Sequence, residues 1–317
     1  MAGNESGLLR RMRYVGEYGA IRAISAVAGL LPERLAEWAG VALGTAFWLF
    51  AFGRRRIARQ NIEKAMPGEL TGREVRRLVR RVFLHLGLTA VETLWTRKRV
   101  TRENIEERFP VEGLGPMTDA LAKGRGLIAV GTHLGNWELF GICMAVRLKG
   151  LGALARPLNN PLVRDYTTRL REQMGIEVLS TRDGVRPMLR ALKENRPLGV
   201  LIDQHVNRAF VPVKFFGREA ATTAVAAALA LRTGAAVFAG YSLRDGYTFR
   251  HHGYFEGPLE LIQTGDHEAD VAANTQMFND KLEEIIRRRP EQWLWTHRRW
   301  KLADRMGRQK ESAADVT

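Results

Sequence analysis

The sequence is poor in cysteine. Cys143 is the only cysteine among 317 residues, so an intrachain disulfide cannot form, and a disulfide-built secreted scaffold is excluded. A four-cysteine zinc site is excluded for the same reason, and the histidines lack a zinc-ligand spacing. The G-x-S-x-G, Walker A and strand-linked G-x-G-x-x-G motifs are also missing. The sequence therefore contains neither a serine-hydrolase elbow nor a common nucleotide-binding loop.

Acidic residues are outnumbered by basic ones. Lys and Arg total 49 against 34 Asp and Glu, which gives a formal charge of +15. Such a charge favours an acidic partner: nucleic acid, anionic lipid, a phosphorylated substrate or an acidic carrier protein. A basic nucleic-acid-binding protein is one alternative, but no zinc-finger, RNP or helix-turn-helix signal supports it.

Long hydrophobic runs are scarce as well. Apolar stretches occupy residues 14–31 and 39–52, and the second is followed by Arg54, Arg55 and Arg56. As a helix the second stretch is about 21 Å long, against about 30 Å of hydrocarbon. Its aromatic residues beside a cationic cluster are typical of a membrane interface, although a true span and a buried core helix stay open. No secretory signal pattern is evident. We expect residues 1–60 to form membrane-associated helices.

Further along, strand-like and helix-like patterns alternate. Arginines from Arg73 to Arg81 recur at helical spacing, which predicts an amphipathic helix with a basic face. Short apolar runs at 126–131, 198–203 and 236–241 then alternate with helical stretches at 137–148, 161–174, 185–195, 223–233 and 275–289. This pattern predicts an α/β domain with a mostly parallel central sheet flanked by helices. The stretch 247–254 is interpreted as an antiparallel edge. We assign residues 61–304 to this domain and 305–317 to a loose tail.

Polar residues cluster where the strands end. His133 follows the first apolar run, and Glu138 completes an H-x4-E pattern at the start of the next helix. Asn136 is a candidate N-cap, which would place Glu138 in the first helical turn, able to fold back toward the imidazole. Because a carboxylate can orient a histidine and stabilise its imidazolium, His133 and Glu138 are candidates for a catalytic dyad. The competing interpretation is a structural histidine that caps a turn.

A second H-x4-E match, from His251 to Glu256, lies in a strand-like stretch where the two side chains point to opposite faces. Cys143 falls within an apolar helix and is interpreted as core. With no nucleophile of its own, the dyad favours direct attack by a substrate hydroxyl.

Four blocks in order carry a family resemblance that covers roughly Arg10 to Leu302. They are Gly131 to Glu138 (GTHLGNWE), Arg156 to Pro161 (RPLNNP), Asp203-Gln204 with the Phe215 to Thr223 segment, and Pro290 to Lys301 (PEQWLWTHRRWK). Together they resemble the bacterial lipid A late acyltransferases, whose wider group includes the lysophospholipid and phosphatidylinositol mannoside acyltransferases. The departures are His205 and the short N-terminal apolar segment.

The resemblance implies a glycerolipid-acyltransferase-like fold and an acyltransferase of groups other than aminoacyl groups. The donor would be acyl carrier protein or acyl-coenzyme A, and the acceptor a hydroxyl of a phosphorylated glycolipid, first of all a lipid A precursor. It implies that His133 is the base and Glu138 its partner, without a covalent enzyme intermediate. Substrate contacts would come from Asn136, Arg156, Asn159, Asp203, Gln204 and Arg298. Arg156 would bind an acceptor phosphate or the donor, and Arg298 and Arg299 are weaker candidates for phosphate contact.

It further implies no metal or bound cofactor, and a location on the cytoplasmic face of the inner membrane. Acylation of a lysophospholipid, a phosphatidylinositol mannoside or an aminolipid remains an alternative of the same chemistry. An inactive membrane-binding relative is the remaining alternative. The apolar residues Trp137, Leu139, Phe140, Phe215 and Phe216 could line an acyl groove, or simply form core.

Overall fold

A seven-stranded sheet lies at the centre of the fold. The computed structural model describes residues 7–155, 157–207 and 209–304. The strands of the protein, of which β6 and β7 lie outside this sheet, are β1 Val111–Glu112, β2 Leu127–Gly131, β3 Leu151–Ala155, β4 Ile176–Ser180, β5 Pro197–Leu201, β6 Phe210–Phe215, β7 Arg218–Thr223, β8 Ala236–Arg244 and β9 His251–Glu256. The sheet order is β1-β9-β8-β2-β5-β3-β4, and every neighbouring pair is parallel except β8 and β9. The predicted mostly parallel sheet is therefore confirmed.

Helices cover both faces of this sheet. They are α1 Gly7–Ala28, α2 Glu33–Phe50, α3 Phe52–Ala65, α4 Gly72–Arg99, α5 Ile105–Arg108, α6 Leu114–Ala122, α7 Trp137–Arg147, α8 Pro161–Gln173, α9 Arg186–Lys193, α10 Val225–Thr233 and α11 His267–Arg288. The central strand β2 shows why both faces need cover. Leu127 and Ala129 pack into the core beneath α7, while Ile128 and Val130 pack into the core beneath α9, α10 and α11. Successive side chains point to opposite faces, so a strand buried on both sides is apolar throughout.

Three local features differ from the sequence-based expectation. The antiparallel strand β9 exists, but β1 pairs with its outer side, so β9 is not an edge. The segment Phe210–Thr223 forms an antiparallel hairpin of β6 and β7 outside the main sheet, which the apolar-run pattern did not indicate. Helix α11 begins at His267 rather than near Thr275, because the Asp266 side chain accepts hydrogen bonds from the first backbone N–H groups.

The N-terminal helices pack on one another through glycines. A capping box between Thr71 and Glu74 starts α4, and α4 crosses α2 where Gly87 meets Gly44. A Cβ added to Gly87 would lie 2.3 Å from the Gly44 backbone nitrogen, so the close approach requires glycine. Within the described part of the chain, each helix alone falls short of the length and apolar character needed to cross a membrane. Helices α2 and α3 meet that test only together, across a bend of 90°.

A fully buried ionic cluster joins α4 to the sheet. The Glu92 carboxylate on α4 accepts a 2.7 Å hydrogen bond from Arg244 on β8, and lies 2.9 Å from His251 Nε2 on β9. Burial lowers the pKa of His251, so the ring is neutral and donates Nε2–H to the carboxylate. Burial alone would raise the pKa of Glu92, but Arg244 and His251 outweigh it and hold the pKa below its usual value. Glu92 is thus an ionised group whose charge is balanced inside the protein.

Removal of this carboxylate tests the cluster. In Glu92→Leu the Arg244 guanidinium stays buried without its counter-charge, so the free energy of unfolding should fall by about 3–5 kcal/mol. The matched control is Glu63→Leu, which breaks the exposed Arg59–Glu63 pair and should cost less than about 1 kcal/mol. Urea unfolding monitored by circular dichroism measures both. Equal effects of the two substitutions would contradict the assigned role of Glu92.

Candidate active site

The strand register brings His133 and Asp203 together. Strands β2 and β5 are parallel neighbours in which Gly131 pairs with Leu201. His133 and Asp203 each lie two residues beyond that last pair, so both reach the same edge of the sheet. The carboxyl ends of parallel strands are where open α/β folds place their sites. The sequence-based expectation that His133 follows a strand end is confirmed.

The imidazole and the carboxylate form a short hydrogen bond. His133 Nδ1 lies 2.7 Å from Asp203 Oδ1. Because a carboxylate only accepts, Nδ1 carries a proton, and in the neutral ring Nε2 keeps its lone pair. Burial lowers the pKa of His133, but the neighbouring Asp203 charge outweighs it and raises the pKa above its ordinary value. Although burial opposes ionisation of Asp203, His133 and the surrounding donors hold its pKa far below the usual range. This arrangement suits a general base.

Glu138 lies elsewhere than predicted. Its carboxylate contacts Arg171 of α8 through two hydrogen bonds, of 2.5 Å and 3.1 Å. The imidazole that it was expected to reach is bonded through Nδ1 to Asp203 instead, so the predicted pairing with His133 is corrected in the structure. Its negative charge still adds to that of Asp203 in raising the pKa of His133. Whether Glu138 acts in catalysis stays a prediction.

Asn136 caps α7, as expected from the sequence. Its Oδ1 accepts from Leu139 N at 3.1 Å, and its Nδ2 donates to Glu92 at 2.8 Å. The side chain is fully buried, so it has no exposed group to offer a substrate. The adjacent Gly135 has φ +62°, and a Cβ there would lie 2.4 Å from the Ser242 carbonyl oxygen. The turn between β2 and α7 is therefore fixed from several sides, and Glu92 is a contributor that sequence reasoning missed.

The other residues predicted to contact substrate differ in where they lie relative to His133. Gln204 Nε2 lies 3.2 Å from His133 Nε2, directly at the base. Asn159 and Arg298 are exposed. Arg156 lies outside the described residues, so its predicted contact with phosphate or donor stays a prediction.

Arg299, one of the two weaker candidates for phosphate contact, faces inward. It is fully buried and donates to the carbonyl oxygens of Gln204 and Ala221 at 3.2 Å and 2.8 Å. Burial lowers its pKa to about 10. Its guanidinium links the segment after β5 to strand β7, which corrects the expectation that it contacts phosphate.

Residues 132–136, between β2 and α7, form the loop that carries His133, here called the histidine loop. An apolar cavity of about 110 Å³ lies between α7 and the sheet, next to this loop. Trp137 and Phe140 line it together with Met144, and Glu138 and Arg171 also border it. Trp137 and Phe140 therefore border a cavity, and its use as an acyl groove stays a prediction. Leu139 instead borders a second cavity between α4, α7 and α8.

Phe215 and Phe216, also candidates for the groove, are core. They pack against an aromatic cluster with Trp293, Trp295 and Trp300. The sequence did not separate groove from core because aromatic residues serve both.

Comparison with known proteins places the chain in a family. Residues 5–302 match the family described as bacterial lipid A biosynthesis acyltransferase. The chain is 30% identical over 277 residues to the lipid A biosynthesis palmitoleoyltransferase of Escherichia coli, covering 86% of each protein. It is 29% identical over 278 residues to the lauroyltransferase of the same organism, covering 86% of this chain and 87% of that protein.

A shorter match extends beyond lipid A enzymes. The chain is 30% identical over 185 residues to a phosphatidylinositol mannoside acyltransferase of Mycolicibacterium smegmatis, covering 57% of this chain and 59% of the relative. The family match spans nearly the whole chain and includes every block quoted above. The protein is therefore an acyltransferase that belongs to the bacterial lipid A biosynthesis acyltransferase family.

Proposed function

We propose that this enzyme moves a fatty acyl group from a thioester donor to a hydroxyl of a phosphorylated glycolipid, most directly a lipid A precursor. The observation that carries the proposal is the His133–Asp203 hydrogen bond of 2.7 Å beside an apolar cavity. The donor is acyl carrier protein or acyl-coenzyme A. Both donors and the acceptor are anionic, which suits a protein of charge +15.

In the proposed reaction His133 is the general base. The acceptor hydroxyl gives its proton to Nε2, and its oxygen attacks the thioester carbonyl carbon. Gln204 lies where that hydroxyl would approach, so its amide positions the acceptor. The carbon–sulfur bond then breaks, and the imidazolium returns the proton to the departing thiolate. The N-terminus of α7, which begins at Trp137, supports the transient oxyanion through the positive end of the helix dipole.

Direct transfer without an acyl-enzyme fits the surroundings of Cys143. Its thiol lies within the core, and burial raises its pKa, which disfavours the nucleophilic thiolate. Its Sγ contacts Arg147 and the Phe109 carbonyl oxygen. We therefore assign no covalent role to this residue.

Glu138 and Arg171 border the apolar cavity as an ion pair. We propose that Glu138 supports the imidazolium through its charge and that Asp203 does so through a direct hydrogen bond. Exposed Asn159 and Arg298, with Arg156, would contact the polar part of donor or acceptor. Phosphate suits the planar guanidinium fork of an arginine.

A comparison favours one of the alternative acceptors. The match to a phosphatidylinositol mannoside acyltransferase favours a mannosylated inositol lipid as the second choice. The reaction would be unchanged, because either acceptor supplies a sugar hydroxyl to the same base.

We also propose that the N-terminal helices bind the cytoplasmic face of the inner membrane. Phe50 and Phe52 flank the bend between α2 and α3 and are 77% and 64% exposed. The Arg55 guanidinium stacks over the Phe52 ring at 4.9 Å, and the exposed arginine face of α4 adds positive charge. Exposed aromatic residues beside arginines are suited to the headgroup region of an anionic membrane.

Loss of the base tests the chemistry. His133→Ala should lower acyl transfer by about 10²–10⁴-fold, the usual contribution of general-base catalysis. Thioester release is measured with acyl carrier protein and coenzyme A donors in parallel, each with a lipid A precursor, a phosphatidylinositol mannoside and a lysophospholipid. Circular dichroism checks that the variant is folded. Wild-type turnover in folded His133→Ala would refute the mechanism, and the acceptor that supports His133-dependent release identifies the substrate.

The pH dependence of the rate separates the roles of the Asp203 and Glu138 carboxylates. The acid limb of the rate profile reports the pKa of His133, because only the neutral imidazole accepts a proton. Asp203→Asn removes the charge that raises this pKa, so the limb should move to lower pH, with turnover reduced about 10²–10⁴-fold. Glu138→Gln should reduce turnover but move the acid limb less than Asp203→Asn does, because Glu138 accepts no hydrogen bond from the His133 imidazole in this structure. A larger shift in Glu138→Gln would reverse the assigned roles.

Membrane binding is tested at the α2–α3 bend. Phe50→Ser with Phe52→Ser should weaken binding to vesicles of phosphatidylglycerol by at least about ten-fold, since a buried Phe is worth about 1.5–3 kcal/mol. Vesicle sedimentation measures this. Val185→Ser, which changes an exposed apolar residue outside the N-terminal helices, is the control and should bind as the wild type does. Unchanged binding by the double variant would remove this surface from the proposal.

A further inference from the structure

The segment that follows α11, at residues 290–295, packs against the histidine loop. Leu294 N donates to the His133 carbonyl at 3.2 Å, and Gly135 N donates to the Gln292 carbonyl at 3.2 Å. Between these two contacts lies Trp293, which is 2% exposed. Its Nε1–H donates a 2.7 Å hydrogen bond to Asp203 Oδ2. A residue at the far end of the chain thus touches the carboxylate behind the base.

The two oxygens of Asp203 have different surroundings. Oδ2 accepts from Thr132 Oγ1 at 2.8 Å, from His133 N at 2.8 Å and from Trp293 Nε1 at 2.7 Å. Oδ1 faces the His133 imidazole. With the acceptor capacity of Oδ2 filled, rotation of the carboxylate would break three hydrogen bonds inside a buried site. The donors therefore fix which oxygen meets the imidazole.

Trp293 cannot easily turn away from this position. Its ring packs edge-on against Trp295 at 4.6 Å and against Phe215 at 5.7 Å between centroids. Close packing in an apolar environment restricts the indole to one rotamer. The N–H is thus presented to Asp203 in a fixed direction.

We propose that Trp293, with Thr132, is a positioning residue that saturates one oxygen of Asp203 and so sets both the orientation and the basicity of the His133 imidazole. This inference rests on the proposed function, in which His133 is the base. A donor to a carboxylate disperses its negative charge, which weakens the stabilisation that Asp203 gives the imidazolium. Trp293 therefore moderates how far Asp203 raises the pKa of His133, and keeps the base neutral over a wider pH range.

The matched pair Trp293→Phe and Trp295→Phe tests this proposal. Both substitutions remove an indole N–H from the same aromatic cluster, but Trp295 Nε1 donates to the Pro290 carbonyl at 2.7 Å and not to Asp203. In Trp293→Phe we expect kcat to fall about ten-fold and the acid limb of the rate profile to move up by about one pH unit. In Trp295→Phe the limb should stay in place, although the melting temperature should fall in both variants.

A third variant keeps the test decisive if Trp293→Phe does not fold. Thr132→Val removes another donor to the same oxygen while it preserves side-chain size and leaves the aromatic cluster intact. Its acid limb should also move to higher pH. The proposal would be overturned if every folded variant at positions 132 and 293 had its acid limb at the same pH as the wild type.

Failure of the proposed function gives a different result. If folded His133→Ala retains turnover and keeps the acid limb, then the limb does not belong to His133 and the general-base assignment is lost. If His133→Ala is inactive and the limb is unmoved in Trp293→Phe and Thr132→Val, then only the positioning role is lost. The two failures are therefore distinguishable within one set of pH profiles.

Discussion

The arrangement of the site depends on one hydrogen bond, between His133 Nδ1 and Asp203 Oδ1. That bond depends in turn on the register of two parallel strands, because Gly131 pairs with Leu201 and each functional residue lies two positions further on. A shift of one residue in either strand would turn the side chains of that strand to the opposite face of the sheet. The buried apolar residues of β2 prevent such a shift, since it would exchange the side chains that fill the two cores.

Segments far apart in the chain hold the turn between β2 and α7. From the N-terminal side, α4 contributes Thr89, which donates a hydrogen bond to the Gly135 carbonyl. It also contributes Glu92, which accepts a hydrogen bond from the Asn136 side chain. From the C-terminal side, Trp293 and Leu294 reach Asp203 and the His133 backbone. A loop held in this way loses little additional entropy when substrate binds, which is how preorganised sites gain rate.

The charge distribution suits an enzyme whose substrates are lipids. Near the α2–α3 bend, Arg55 of α3 lies over the rings of Trp48 and Phe52, and Arg80 of α4 also lies over Trp48. Helix α4 carries exposed arginines in its first half and Glu92 in its second, so one helix spans from the proposed membrane face to the histidine loop. The buried Glu92–Arg244 pair adds little net stability by its charges alone. Its structural contribution is to fix the position of α4 on the sheet.

The sequence by itself determined the local features: buried strands from apolar runs, the Asn136 cap, and His133 at a strand end. These depend on residues a few positions apart, and the family blocks added the acyltransferase assignment, which the comparisons confirm. Only the tertiary structure decided which carboxylate meets the imidazole. Asp203 is 70 residues from His133, whereas Glu138 is close in sequence but bonds to Arg171. Local spacing restricts which side chains can meet, but contacts across the sheet depend on strand order and register, which no short motif encodes.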